Sequence, residues 1–361
     1  MSLYKNIGEK NITIFIMTNY KCLCDTTAVE KFHGSGSFFI IFKRLKLKYE
    51  VKLFKGGHKM KVGVITGGTS AEREVSIKTG KEMIDNLDKK KYEVIEIQIN
   101  SRKDLIDKVL KENIDFALLA LHGKFGEDGG AQAILESLNI PYSGSGILAS
   151  SLCMDKDISK RLMRAEGINT PEWITIKKRN EIDYKLLEKI GYPLVVKPVN
   201  GGSSLGTFIV RNSEDILDAI LKAFTYDEEI MIEKYIEGRE ITCGILDGKL
   251  LPIIEIKPSS EFFDYKSKYE DMGSEEVIVE LEEALKKKVD TICRKCWILF
   301  KCSVYGRIDI ILKDNEPYVL EINTLPGMTK NSLIPKSARS YGLSFSELLD
   351  SIIELSLKIK R

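Results

Sequence analysis

The chain reads Gly306-Arg307-Ile308-Asp309 and, a few residues on, Glu321-Ile322-Asn323-Thr324-Leu325-Pro326-Gly327-Met328-Thr329. Between them lie two apolar runs, Ile308 to Leu312 and Tyr318 to Ile322, joined by Lys313-Asp314-Asn315-Glu316-Pro317. Charged and amide residues beside a proline are turn chemistry, so the stretch predicts a β-hairpin. Side chains alternate faces along a strand. Arg307 and Asp309 therefore share one face, Glu321 and Asn323 share one face, and antiparallel pairing lets the two coincide. That gathers two carboxylates, an amide oxygen and a guanidinium in a small volume. Hard oxygen donors suit Mg²⁺ carried in with phosphates, and the arginine suits a phosphoryl group or an oxyanion. A solvated polar face is the ordinary reading of any one of these residues. The apolar positions between them argue instead for strands buried on one side, and after Glu321 the pattern gives way to a Pro-Gly loop.

Upstream, the strand Lys61 to Thr66 runs into Gly67-Gly68-Thr69-Ser70-Ala71-Glu72-Arg73-Glu74-Val75-Ser76. A second strand, Asp115 to Leu121, ends in His122-Gly123 and leads to Gly126-Glu127-Asp128-Gly129. From Met60 to about Gly144 the order is strand, Gly-turn, helix, strand, helix, strand, which is an α/β domain. Ser143-Gly144-Ser145-Gly146 and Met154-Asp155-Lys156 follow, and a helix carrying Lys156 and Arg161 leads to Pro171. The apolar strand Pro193 to Lys197 then reaches the loop Asn200 to Gly206, which contains Gly202-Ser203-Ser204-Leu205-Gly206. Backbone N–H groups of such a loop can wrap phosphate oxygens. From the loop alone a surface turn reads as well; the buried-looking strand before it favours phosphate. Neither Lys156 nor Lys197 sits in a Gly-x-x-x-x-Gly-Lys motif, so a P-loop fold is disfavoured. On chemistry alone Glu72 is a helix-dipole acid, Glu233 and Glu240 are strand-end charges, and His122 lines a site or sits satisfied in the core.

This series, with Phe263-Asp264-Tyr265-Lys266-Ser267-Lys268-Tyr269 and the hairpin, closely resembles the D-alanine–D-alanine ligases of the ATP-grasp superfamily, in the family's order from about Met60 onward. The resemblance implies an α/β chain, α+β in its ATP-grasp part. It has three domains: an N-terminal parallel-sheet substrate domain (60–144), a central domain (145–233) and a C-terminal catalytic domain (234–361), with ATP between the last two. It implies that Asp309, Glu321 and Asn323 hold two Mg²⁺ or Mn²⁺ ions. Lys156, Lys197 and Ser204 serve the nucleotide's phosphates, Glu233, Lys234 and Ile236 the adenine, and Glu240 the ribose. Glu72 holds the ammonium of the first D-alanine, with Ser203 and Tyr269 tying a mobile loop over it. His122 lines the site, and Lys268 reaches the transferred phosphate. Ser332 and Leu333 meet the second substrate, and Arg307 with the Gly327 N–H faces an oxyanion. The implied reaction joins two D-alanines through an acyl phosphate, for peptidoglycan precursors, in a cytoplasmic homodimer. Past Asp271 the chain lacks the family's usual Pro-Ala pair, so only Lys268 and Tyr269 carry over from the expected lid.

Composition agrees. Hydrophobic content of 43% and charged content of 30% are ordinary for a globular chain. No apolar run is long enough to span a membrane. Residues 1–59 hold 11 basic and 4 acidic residues (+7), and the remainder 44 and 49 (−5), which argues against general nucleic-acid binding. Seven cysteines are scattered; Cys293 and Cys296 fall on a helical pattern from Leu281 to Lys301 and read as core, ahead of a redox pair or zinc. Two of the three histidines, His33 and His58, precede Met60, which removes a histidine-based metal site. Residues 1–59 read as an atypical extension. They lack the features of a secretory signal, while an amphipathic membrane-surface segment is a second reading. An over-long translation start explains them best, because Lys55-Gly56-Gly57 can be encoded with an AGGAGG run just ahead of Met60.

Three other readings compete with this resemblance. A D-alanyl-D-lactate ligase departs at the Tyr269 loop. A catalytically dead ATP-binding regulator predicts damage at Arg307, Asp309, Glu321 or Asn323, and none is present. A nicotinamide dehydrogenase needs G-x-G-x-x-G after the first strand, where Glu72-Arg73-Glu74 puts acids instead.

Overall fold

The computed structural model describes residues 2–7, 10–15, 59–258 and 274–361. The chain divides into two compact units, Met1–His58 and Lys59–Arg361. In the first, β1 (Ser2–Ile7) pairs antiparallel with β2 (Lys10–Phe15).

The second unit opens on a parallel sheet of β3 (Met60–Gly67), β4 (Tyr92–Ile99) and β5 (Phe116–Leu119) in the order β4-β3-β5. Parallel neighbours need crossovers, and α1 (Arg73–Asn86) and α2 (Arg102–Glu112) supply them. The central strand is apolar at successive positions, with Val64 and Ile65 both sealed from solvent, as expected of a strand covered on both faces. Strand order reverses about β3. A crevice therefore opens at its carboxyl end, where Gly67 and Gly68 turn into Glu72. Three helices follow: α3 (Gly130–Ser137), α4 (Ile147–Met154) and α5 (Lys156–Ala165).

Four antiparallel strands come next: β6 (Trp173–Ile176), β7 (Leu194–Pro198), β8 (Phe208–Val210) and β9 (Ile230–Lys234), ordered β6-β9-β7-β8. Their apolar face is covered by α6 (Tyr184–Ile190) and α7 (Ile216–Ala223). The third sheet contains β10 (Arg239–Leu246), β11 (Lys249–Leu250), β12 (Ile254–Pro258), β13 (Ser274–Ile278), β14 (Tyr305–Lys313) and β15 (Glu316–Asn323). Behind it lies α8 (Glu283–Leu299), whose Cys293 and Cys296 are buried and free, as are Cys153, Cys243 and Cys302. The core reading of the helix cysteines therefore holds.

The expected hairpin is β14–β15. Its turn is tighter than the sequence suggested, because only Asp314 and Asn315 stand outside the strands. Both are left-handed (φ 50° and 59°), the geometry whose twist matches a two-residue hairpin and which Asp and Asn tolerate. The last helices, α9 (Leu333–Ser340) and α10 (Phe345–Ser356), return to the start of the unit. Leu348, Leu349, Ile352 and Ile353 share one core with Val64, Ile65 and Leu118.

Candidate active site

Register puts the hairpin's polar residues together. Arg307 faces Asn323 and Asp309 faces Glu321 across β14 and β15, just before a bulge at Asp309/Ile310. Thr242 on β10 is the other neighbour of Asp309 and donates its hydroxyl to Oδ1 at 2.7 Å. Arg307 grips the same carboxylate with two donors, Nε at 2.9 Å and Nη2 at 2.7 Å. Burial works against the Arg307 charge, but Asp309, Glu321 and Glu127 outweigh it and hold the guanidinium more firmly protonated than usual. Glu321 lies 3.5 Å from Lys156 Nζ. The Asn323 side-chain oxygen accepts from Leu325 N at 3.1 Å and so sets the start of the Pro-Gly loop.

Asp309, Glu321 and Asn323 all line one cavity. Among the described residues no three His, Cys, Asp or Glu side chains form a closed metal cage. Two carboxylates and an amide are an open, all-oxygen set. They fit a hard cation that brings phosphate and water ligands with it.

In the same cavity, Glu72 occupies the N-cap of α1 yet makes no cap bond. Its carboxylate instead accepts the hydroxyl of Ser203, on the Gly-Ser loop. Two glycines make room for it. A Cβ at Gly202 would come within 2.9 Å of Glu72 Oε2, and one at Gly123, where φ is +67°, within 2.7 Å. Gly123→Ala is thus expected to displace Glu72 and to raise the KM for the amino-acid substrate about tenfold or more, from backbone strain plus the clash. Steady-state kinetics that leave this KM within about twofold would show that the cradle tolerates a methyl group.

Burial, then the nearby Glu127, push the Glu72 carboxyl above the ordinary range, against pulls from Ser203, His122 and Lys156. His122 is held on both ring nitrogens. Nε2 lies 3.2 Å from Thr79 Oγ1, and Nδ1 lies 3.3 Å from Glu127 Oε1. Glu127 also accepts Gly123 N at 3.0 Å. The sequence reading passed over Glu127; its signal was its place five residues after His122 in the same loop. Gly327, Ser332 and Leu333 line this cavity too, and Ser332 Oγ accepts Thr329 N at 3.0 Å.

A second cavity, about 400 Å³ against about 410 Å³ for the first, is lined by Lys197, Ser204, Glu233, Lys234, Ile236 and Glu240. Ser203 and Ser204 are both left-handed (φ 52° and 58°), an uncommon pair of conformations for non-glycine residues, found where loops are held for function. Lys156 donates to Gly201 O at the root of that loop, and Lys234 Nζ to Gly191 O at 2.8 Å. Glu233 is buried between two ammonium groups, Lys197 on Oε1 and Lys160 on Oε2. Burial drives the Glu233 carboxyl up, but the two lysines more than offset it and keep it ionised. Lys160 was also passed over; as one more lysine in a charged helix it carried no local mark.

The two cavities share a wall that includes Lys156, Gly202, Ser203, Glu240, Asp309 and Glu321. Residues expected of the nucleotide and of the metal therefore meet on one boundary, and Glu72 lines the first cavity beside it. Lys268 and Tyr269 lie outside the described residues.

Comparison with known proteins identifies the family. Residues 61–109 and 102–145 match the family signature "D-ala D-ala ligase N-terminus", and residues 162–354 match "D-ala D-ala ligase C-terminus". A D-alanine–D-alanine ligase of Clostridium perfringens is 55% identical over 302 residues, 84% of this chain and 100% of the relative. The crystal structure of the D-alanine–D-alanine ligase from Bacillus anthracis complexed with ATP superposes with a TM-score of 0.76 at 52% identity, covering 83% of this chain and 98% of that one. The VanG D-Ala:D-Ser ligase from Enterococcus faecalis does so at 0.71 and 31%, covering 83% of this chain and 100% of that one.

Proposed function

The chain belongs to the D-alanine–D-alanine ligase family, and from its site we infer how it joins two D-alanines into D-alanyl-D-alanine with ATP, for peptidoglycan synthesis. The observation that carries the residue roles is the shared wall, because phosphoryl transfer requires donor and acceptor to meet there.

ATP enters the Lys197–Glu240 side. Adenine is read by the Glu233 carboxylate, each of whose oxygens keeps an acceptor site beside its lysine, and by the backbone of Lys234 to Ile236, with Glu240 toward the ribose. Lys156, Lys197 and the Ser203-Ser204 loop take the phosphates. Asp309, Glu321 and Asn323 would hold two Mg²⁺ or Mn²⁺ ions, which would supply charge neutralisation to the phosphates. Glu72 fixes the ammonium of the first D-alanine so that its carboxylate points at the γ-phosphate and displaces ADP, giving an acyl phosphate. The second D-alanine lies against Ser332 and Leu333, and its amine attacks the acyl carbon. Arg307 and the Gly327 N–H stabilise the tetrahedral oxyanion, and phosphate leaves. The three-domain division at about residues 144 and 233, a cytoplasmic location and a homodimer belong to the same reading. Among the described residues no helix is long and apolar enough to cross a membrane.

The test is phosphate release from Mg-ATP with D-alanine alone, with D-alanine plus D-lactate, with D-alanine plus D-serine, and with L-alanine, identifying products by mass. D-Alanyl-D-alanine as the main product supports the roles assigned here; a mixed ester, or a dipeptide with serine, reassigns the second-substrate pocket.

Glu72 must be ionised to hold an ammonium, and its carboxyl is raised, so activity should fail on the acid side earlier than for an ordinary carboxylate. Glu127 contributes to that rise. Glu127→Gln removes a negative charge and lowers the Glu72 pKa, so the acid limb of kcat/KM for D-alanine should move to lower pH. A limb that stays put, or moves up, would separate Glu72 from this pH dependence.

A further inference from the structure

Lys160 lies beside the nucleotide cleft and has no part in the scheme above. Its side chain is fully buried (0%) and lines neither cavity, although Lys156, one turn earlier on α5, lines both. Its ammonium is held by Glu233 Oε2 and stands 5.0 Å from the centre of the Trp173 ring. That ring is fixed in turn by Asp157, which accepts the indole N–H at 2.7 Å, and by Arg164 stacked 4.2 Å from its centre. A cation over an indole face is stabilised as a cation, which offsets part of the cost of burying it.

The charges then decide the role. Lys197 and Glu233 alone would form a closed neutral pair, and Lys197 would have little positive charge left for a phosphate. Burial pushes the pKa of the Lys160 ammonium down to about 8 against the pull of Glu233, so at neutral pH the cluster with Lys160 carries one net positive charge. That excess belongs to Lys197, the ammonium that faces the cleft, because Lys160 is sealed behind the carboxylate. In a site of low effective dielectric this difference is worth far more than it would be in water.

We propose that Lys160 is a positioning residue for nucleotide binding: it neutralises Glu233 from behind, so that Lys197 keeps its positive charge for the polyphosphate of ATP. The inference rests on the nucleotide reading of this cleft. A merely structural lysine would lower stability and affect both substrates alike when lost. A counter-charge acts on ATP selectively and only while Glu233 is a carboxylate.

The test uses full-length wild type, Lys160→Met, Glu233→Gln and the double variant. It compares KM for ATP, KM for D-alanine and kcat with calorimetric ATP binding in the absence of D-alanine. Lys160→Met should weaken ATP about tenfold or more by both measures and leave the KM for D-alanine within about twofold. In the Glu233→Gln background the same change should alter ATP affinity by less than about threefold, because no carboxylate then competes for Lys197. Unchanged ATP affinity in Lys160→Met, equal losses for both substrates, or a tenfold loss in the Glu233→Gln background would each overturn the proposal. If Lys160→Met does not fold, Lys160→Gln, which keeps a polar contact with Glu233 but no charge, takes its place in the same comparison. A wild type that binds ATP but forms no dipeptide would sink the functional reading instead, and the binding titrations would still report on Lys160.

Discussion

Arg307→Ala is expected to lower kcat by roughly 10²- to 10³-fold, the usual cost of removing one oxyanion donor from a preorganised site. Two features make the arginine hard to replace. It is gripped by Asp309 through Nε and Nη2, so its remaining donors are fixed before substrate arrives. It also shares its strand face with the carboxylates that serve the nucleotide, so one rigid β14 aligns both halves of the reaction. The loss should appear mainly in kcat, because the developing oxyanion exists only beyond the ground state. Asp309 keeps the Thr242 hydroxyl in the variant, and the fold should survive. Single-turnover measurements with saturating ATP and D-alanine are the check. A variant whose rate falls less than about threefold would mean that the oxyanion is met elsewhere.

Glu72→Gln should reduce kcat/KM for D-alanine roughly 10²-fold, the cost of leaving a buried ammonium without its counter-charge. The amide keeps the shape of the carboxylate and can still accept the Ser203 hydroxyl, so loop position and ATP affinity should change little. The pattern to look for is a loss confined to the amino acid. If ATP binding weakened in parallel, Glu72 would be acting through the Gly-Ser loop rather than on the substrate. If both were unchanged, the first ammonium would sit elsewhere.

Much of this site could be read from the chain because the residues concerned sit in locally patterned segments. The hairpin announced itself through two apolar runs joined by a polar, proline-bearing turn, and its register brought Arg307, Asp309, Glu321 and Asn323 together as the alternation of strand faces predicts. Glu72 was harder to read: an acid in the first turn of a helix is ordinary, and only the close approach of Gly123, Gly202 and Ser203 distinguishes it. Glu127 and Lys160 were missed for a related reason. Each acts through a partner distant in sequence or folded back on its own loop, and neither breaks the local pattern. Lys160 reaches a residue 73 positions away. No periodicity reports a contact of that kind.

Another long-range contact bears on how the molecule is made. The core beneath the Gly67–Glu72 turn includes Leu348, Leu349, Ile352 and Ile353. A ribosome delivers those side chains long after Val64 and Ile65, which wait until then for part of their packing. The intervening polypeptide can meanwhile build its own sheets, whose partners are closer in sequence. On that order the middle of the unit is expected to assemble first and the turn that carries Glu72 to become rigid late. A nascent chain halted before residue 345 should carry a protease-resistant nucleotide-binding portion and a Met60–Leu119 segment that is still readily cut.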